Sequence, residues 1–502
     1  MSMPRLSSSR VLTGPWKNTS ASFTPKHINL RTNYRNPSTA LRPSPQQQQR
    51  QHQQLQFIRR FSSPAQPAAE GPHDTVAEKQ EMVVETKNDP SAIRTENIPP
   101  KVKKFLGYIE MEFTVKGRPA LTFYGEFWLR DNCQCPKCIH PDTRQRSVDT
   151  FKIPQDVNAN KIRYENRAVL VDWSDGHTGV YPTFWLLAHQ NKSPKRPYPS
   201  KAGPSFRRFK KFHPTDPNSH YPTVTHEKVM TDNTAVRDWL EKIYDWGFCF
   251  VEGVPVEPEA TQKLIERIAF VRHTHYGGFW DFTADLSFKD TAYTTEFLGA
   301  HTDNTYFTDP ARLQLFHLLS HIDGQGGESL LVDGFRAAQL LKLENPQNSK
   351  ALHKYRQPFH SSGNEDTCIQ PVIQYPVFVT HPTFKQQLYQ IRWNNYDRAA
   401  KVDWSSKEQE EWYTAARHFN EIIHRKDLEI WTQLQPGTAL IFDNWRMLHG
   451  RSEFTGKRRM CGGYVNNDDF LSRYRLLKFG REAVLRNLGN TYNSASNPNM
   501  FF

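Results

Sequence analysis

The sequence is poor in cysteine, has no long apolar run, and carries no acidic side chain before Glu70. Six cysteines in 502 residues are too few for a disulfide framework and suit a reducing compartment. Three crowd together as Cys133, Cys135 and Cys138. The others, Cys249, Cys368 and Cys461, read as ordinary buried thiols. No stretch approaches the roughly 18 uninterrupted apolar residues of a membrane span, so a soluble protein with no membrane partner is expected. The acid-free N-terminus carries ten Arg and Lys. Setting those aside from the total of 65 leaves a near balance with the 52 acids. The formal charge of +13 is therefore a property of the N-terminus, not of a nucleic-acid-binding face.

What is present divides the chain. An Arg-rich, Ser-rich, acid-free leader has the composition of a mitochondrial transit peptide, with Arg59-Arg60-Phe61-Ser62-Ser63 as its processing site. Residues 1–62 are read as this peptide and 63–100 as a flexible linker. A small domain is expected over 101–190. The basic, Pro-rich segment 191–224 is a solvated linker. A larger domain follows over 225–485, then a tail over 486–502.

Alternating apolar positions at Ile109, Met111, Phe113 and Val115, then Leu121, Phe123, Phe127 and Leu129, predict short strands around Gly117. Thr231 or Asp232 can cap a helix that carries Val236, Leu240, Ile243 and Tyr244 and stops at Gly247. A second helix is expected over 257–271. Strand-like runs lie at 248–251, 313–318, 329–332, 372–379, 387–391, 438–443 and 460–465, with one clear helix among the later ones, over 407–424. The fold class is mostly β with flanking helices, a barrel or sandwich core.

Two groups of residues carry chemistry. Cys133, Cys135 and Cys138 with one imidazole, His140 or His177, would complete a tetrahedral zinc site. His-x-Asp occurs three times, at His140, His301 and His321, and is weak alone. On a strand, His301 and Asp303 would leave the same face. His449 follows a strand end at Asp443, and Arg458 opens the next apolar strand. Two His and one carboxylate form a facial triad for Fe(II) with open positions for a chelating 2-oxo acid and O₂. The distal carboxylate of that acid needs a planar, permanent cation such as Arg458. Just before His301 lie Tyr276, Phe279, Trp280 and Tyr293, the residue types that enclose a quaternary ammonium.

On these residues the chain resembles the γ-butyrobetaine hydroxylase and trimethyllysine dioxygenase family of Fe(II)- and 2-oxoglutarate-dependent oxygenases. The resemblance spans about residues 105–480 and rests on W-L-R-D-N-C, D-W-S-D-G-H, Y-G-G-F-W, D-T-A-Y-T, H-T-D-N-T-Y-F, W-N-N-Y-D-R-A and D-N-W-R-M-L-H-G-R. It implies a double-stranded β-helix (jelly-roll) oxygenase core preceded by a small zinc-binding β domain. It also implies C3 hydroxylation of N6,N6,N6-trimethyl-L-lysine, the first step of carnitine biosynthesis. Fe(II), 2-oxoglutarate, O₂, ascorbate as reductant and a structural zinc come with it, as do a homodimer and a mitochondrial matrix address. The alternatives are γ-butyrobetaine hydroxylation and a non-catalytic zinc-containing interaction protein.

Carried onto this chain, the resemblance makes His301, Asp303 and His449 the iron ligands. Arg458 and Ser329 become the 2-oxoglutarate carboxylate contacts, with Arg459 aimed to the opposite face. Cys133, Cys135, Cys138 and His177 become the zinc ligands. Tyr276, Trp280, Tyr293 and Tyr464 form the cage, from which Phe279 falls out. Asp290 marks a trimethyllysine rather than a butyrobetaine enzyme. Of Asn394 and Asn395, Asn395 is taken for the substrate's amino-acid end.

Overall fold

The computed structural model describes residues 98–189, 219–283, 294–382 and 387–489, with a few positions between 210 and 216. The transit-like leader, most of the basic segment and the last residues lie outside these. Strands β1 (Lys101–Phe105), β2 (Tyr108–Val115) and β3 (Arg118–Gly125) form one antiparallel sheet, followed by helix α1 (Glu126–Asp131). Strands β4 (Ala159–Glu165), β5 (Ala168–Trp173) and β6 (Thr178–Pro182) form a second, followed by α2 (Thr183–Ala188). Alternation places Ile109, Met111 and Phe113 on one face, against Val169, Val171 and Trp173. Phe127 and Leu129, read above as strand, belong to α1. Its six residues are too few to display a helical period, and its buried Glu126 accepts a hydrogen bond from the Ala159 backbone N–H (2.9 Å).

The larger part begins with β7 (Thr223–Thr225), α3 (His226–Thr231), α4 (Asn233–Trp246), β8 (Phe248–Glu252) and α5 (Pro258–Glu266). Asp232 caps α4 by accepting from the Thr234 N–H, and Gly247 ends it at φ 88°, a conformation only glycine adopts without cost. Then come β9 (Trp280–Thr283), β10 (Leu298–His301), β11 (Leu313–Ile322), β12 (Ser329–Asp333), α6 (Gly334–Glu344) and α7 (Pro346–Lys354). Short strands β13 (Arg356–Gln357), β14 (Tyr375–Pro376), β15 (Phe378–Thr380) and β16 (Leu388–Ile391) precede α8 (Ser406–Ile423). The chain closes with β17 (Ile430–Thr432), β18 (Thr438–Asp443), β19 (Met447–Arg451), β20 (Lys457–Val465), α9 (Asn467–Phe479) and α10 (Arg481–Arg486).

Two expectations are corrected here. Three helices, not one, stand among the later strands. The two missed ones are short, and each starts from its own cap: Asp333 accepts from the Phe335 and Arg336 N–H groups, and Asn345 from those of Gln347 and Asn348. The run 372–379 is not one strand, because Val372 and Ile373 stand exposed ahead of the two-residue β14.

Two sheets face each other. One runs β7-β8-β18-β11-β20-β9, the other β10-β19-β12-β17. Period-two alternation sorts their side chains into layers. Ala439, Ile441, Leu313 and Leu315 pack outward on α4, α5 and α9. Leu440, Phe442, Leu318 and Met460 point inward, meeting Leu331, Ile430 and Met447 of the opposite sheet. Leu330, Val332 and Leu448 pack outward on α6, α7 and α8. At the far end, the Leu488 carbonyl meets the His189 ring (2.6 Å) and Arg486 lies over Phe184, tying the C-terminal helices to the N-terminal part.

Buried ion pairs lock the turns at the strand ends. The Arg446 guanidinium, fully buried, donates to Asp333 (2.7 Å) and to the Asp245 and Lys210 carbonyls. Asp333→Ala is expected to lower stability by about 3–5 kcal/mol, because it strands a buried charge. Asp333→Asn, which keeps the capping oxygen, loses less, and adding Arg446→Met to Asp333→Ala recovers part of the loss. Urea unfolding of the variants measures all three differences.

Candidate active site

The inward faces of β11, β12, β19 and β20 enclose a cavity, and strand parity decides what enters it. Met447, His449 and Arg451 point inward from β19, while Leu448 points to the helices. On β10 the pairing of Leu298 with Arg451 and of His301 with His449 sets two residues, Gly299 and Ala300, against one, Gly450. That bulge lets Leu298 and His301 both line the cavity while Ala300 packs outward. Asp303 does not share the strand with His301, as the sequence analysis expected, because β10 ends at His301. A turn delivers the carboxylate instead. Its backbone is held by Asn444, which accepts from the Asp303 N–H (2.7 Å) and donates to its carbonyl (3.1 Å).

His301, Asp303 and His449 converge, their donor atoms within 4.8 Å of one another. Asp303 Oδ1 lies 3.2 Å from His301 Nε2 and 3.5 Å from His449 Nε2. His301 Nδ1 donates to the Gly299 carbonyl (2.8 Å), which turns Nε2 toward Asp303. Asp303 Oδ2 accepts from Gln314 Nε2 (2.8 Å) and from the Tyr464 hydroxyl (2.6 Å). Burial pushes the Asp303 carboxyl up, but His449, His301 and Tyr464 together hold it below the ordinary carboxylate range. Burial and the neighbouring His301 push His449 down to about 3. This neutral imidazole beside a carboxylate is a donor set for a divalent cation.

Arg458 and Ser329 line the same cavity. The Arg458 guanidinium is buried, its Nε has no hydrogen-bond partner, and among the described residues no carboxylate pairs with it. Burial, then the charge of Arg451, lowers its pKa to about 10. Gly327 stands beside it at φ 73°, a conformation that favours glycine, and a Cβ there would sit 3.1 Å from Arg458 Nε. Arg459 points the other way, to Asp281 at the surface (2.8 Å). The cavity thus ends in a buried cation suited to an anionic ligand.

Aromatic rings form another wall. Trp280 and Tyr464 meet at 5.8 Å between centroids and 71° between planes, and Tyr276 packs with them. The contact needs Gly462, because any Cβ there would collide with the Trp280 indole. Phe279 packs against the helix-side core. Tyr293 and Asp290 lie outside the described residues. Asn395 is corrected: it is exposed and accepts from Arg398 Nε (3.2 Å), while the buried Asn394 lines the cavity. Tyr306 was missed, although it stands inside H-T-D-N-T-Y-F. It is buried, and its hydroxyl lies 3.0 Å from that of Tyr276.

Away from the cavity, Cys133, Cys135 and Cys138 surround His177 Nε2 at 3.3, 3.7 and 3.5 Å. His140 is turned away, accepting from the Asp142 and Thr143 N–H groups. Burial pushes the Cys133 thiol up to about 12, a penalty that a bound cation would remove. Cys249 and Cys461 are buried as expected, whereas Cys368 is exposed.

The TauD/TfdA family model, described as taurine catabolism dioxygenase, matches residues 209–464. The gamma-butyrobetaine hydroxylase-like N-terminal model matches residues 117–187. A trimethyllysine dioxygenase of Neurospora crassa is 44% identical over 405 residues, covering 72% of this chain and 82% of the relative. A mitochondrial trimethyllysine dioxygenase of Homo sapiens is 36% identical over 375 residues, covering 73% and 86%. A gamma-butyrobetaine dioxygenase of a Pseudomonas species is 29% identical over 361 residues, covering 71% and 90%. With its inward His and carboxylate groups set in a TauD-type oxygenase fold, the chain belongs to the trimethyllysine dioxygenase family.

Proposed function

We propose that this enzyme hydroxylates C3 of N6,N6,N6-trimethyl-L-lysine in the mitochondrial matrix, as the first step of carnitine biosynthesis. One observation carries the reading: a single cavity holds the His301, Asp303 and His449 donor set, a buried Arg458 that no carboxylate among the described residues pairs with, and the rings of Tyr276, Trp280 and Tyr464. In the overall reaction 2-oxoglutarate is oxidised to succinate and CO₂. One atom of O₂ enters the new C3 hydroxyl and the other the succinate carboxylate. Fe(II) bound by the two imidazoles and the carboxylate supplies the O₂ chemistry, since such a triad keeps positions open. Ascorbate serves as the reductant that keeps the metal ferrous.

The chain's own residues orient the partners. Arg458 grips the C5 carboxylate of 2-oxoglutarate, with the Ser329 hydroxyl beside it. A trimethylammonium group has no N–H to donate, so acceptors cannot select it, whereas aromatic faces attract it through their quadrupoles. Tyr464 joins the two regions: its ring lines the cage and its hydroxyl holds the Asp303 carboxylate in place. The reading of the Cys cluster is a structural zinc. Zn–S near 2.3 Å and Zn–N near 2.0–2.1 Å in a tetrahedron give S···N separations of about 3.5–3.6 Å, close to those around His177. The acid-free leader and the mitochondrial human relative support the address.

Succinate release with each candidate substrate tests the central reading: trimethyllysine is expected to drive it well above γ-butyrobetaine, and the reverse order would overturn it. Tyr464→Phe keeps the ring and removes the hydrogen bond to Asp303. It is expected to weaken metal binding about 10–100-fold, the usual cost of losing a ligand's supporting partner, measured by anaerobic Fe(II) titration. Metal analysis separates the two sites: Cys135→Ala should lose zinc and His301→Ala iron, each retaining the other metal.

A further inference from the structure

Asn304 follows Asp303 directly, lines the active cavity, and is 1% exposed. Among the described residues neither its Oδ1 nor its Nδ2 has a hydrogen-bond partner. Buried polar atoms are nearly always satisfied, so a side chain leaving both unmet is an anomaly that a ligand can resolve. Its backbone is also unusual, at φ 59°, in the left-handed region that Asn tolerates better than most residues. The turn is clamped on both sides. Asn444 holds Asp303, while Arg392 donates to the Thr305 carbonyl (3.3 Å) and the Phe307 carbonyl (2.8 Å). The amide is thus presented in a fixed position.

The geometry points to Asn304 as the residue that reads the α-amino-acid end of the substrate, with Oδ1 accepting from the α-ammonium and Nδ2 donating to the α-carboxylate. This rests on the trimethyllysine reading. The argument is one of matching groups. The trimethylammonium head and alkyl chain offer nothing to a carboxamide, and Arg458 meets the distal carboxylate of 2-oxoglutarate. Only the amino-acid end presents a donor and an acceptor together. Asp397, on the same cavity wall and accepting from Thr305 Oγ1 (3.3 Å), supplies the negative charge an ammonium requires. A site built to bond a polar substrate group rejects analogues lacking it, because its own atoms are then left unpaired. Asn304 is therefore a specificity-determining residue.

The experiment compares trimethyllysine with 6-(trimethylammonio)hexanoate, which keeps the head, chain and carboxylate and lacks the amino group. Asn304→Gly is the variant of choice because glycine holds a φ of 59° without strain, and its thermal midpoint checks that it is folded. In Asn304→Gly, KM for trimethyllysine is expected to rise about tenfold or more, KM for 2-oxoglutarate to stay, and the kcat/KM preference over the desamino analogue to fall by a similar factor. An unchanged preference, or a loss confined to 2-oxoglutarate, overturns the assignment. Asn304→Asp is the second variant should the glycine protein fail to fold. It keeps the acceptor and loses the amide donor, so it should retain the preference while raising KM for both amino acid and analogue; a lost preference overturns the assignment. Wild-type enzyme that turns over the analogue or γ-butyrobetaine but not trimethyllysine would instead refute the parent reading, and this one with it.

Discussion

Strand parity is the constraint on which the rest of this structure depends. Both sheets are buried on both faces, one toward helices and one toward each other. A one-residue slip would exchange those faces along a whole strand. On β19 it would drive His449 and Arg451 into the helix layer and turn Leu448 into the cavity. Hydrophobic burial thus fixes the register, and the register aims the polar groups. Bulges adjust this locally: the one in β10 brings His301 to the same side as Leu298, and another interrupts the β11 and β20 pairing beside Arg458.

Within that frame the cavity sorts its contents by charge. One region gathers a carboxylate between two imidazoles, satisfied by Gln314 and Tyr464. Another presents Arg458, whose burial with no carboxylate partner among the described residues makes it a standing demand for an anion. A third is aromatic and carries no charge of its own. A cationic group and an anionic one would therefore find complementary regions of one cavity. The hydroxyl of Tyr464 ties the aromatic region to the carboxylate between the imidazoles.

Much of this was legible in the residues, and the exceptions have physical reasons. The cap at Asp232, the stop at Gly247 and the alternation of Leu440 and Phe442 with Ala439 and Ile441 are local signals and appear as read. The opposite aims of Arg458 and Arg459 follow from parity alone. Asp303's position was not legible, because it depends on Asn444, far along the chain. A bulge leaves no mark in a hydrophobic pattern, so the orientation of His301 could not be derived from spacing. Asn394 and Asn395 are adjacent and chemically identical, and only the turn around Tyr396 decides which one faces inward. Tyr306 lay in a motif read for its His and Asp, where an aromatic residue three positions on looks like ordinary core.

The contact between Leu488 and His189 bridges 299 positions of sequence. During synthesis the N-terminal part emerges first, but the contacts of His189 with Leu488 and of Phe184 with Arg486 wait until α10 has been made. Closing so long a loop costs only a little more than closing one half its length, since the entropy grows as the logarithm of length. The barrier to that docking is thus one of timing rather than of free energy. Phe184 stays 38% exposed even after docking, so the seam is held by the His189 bond and the Arg486 stack rather than by burial of a large apolar surface.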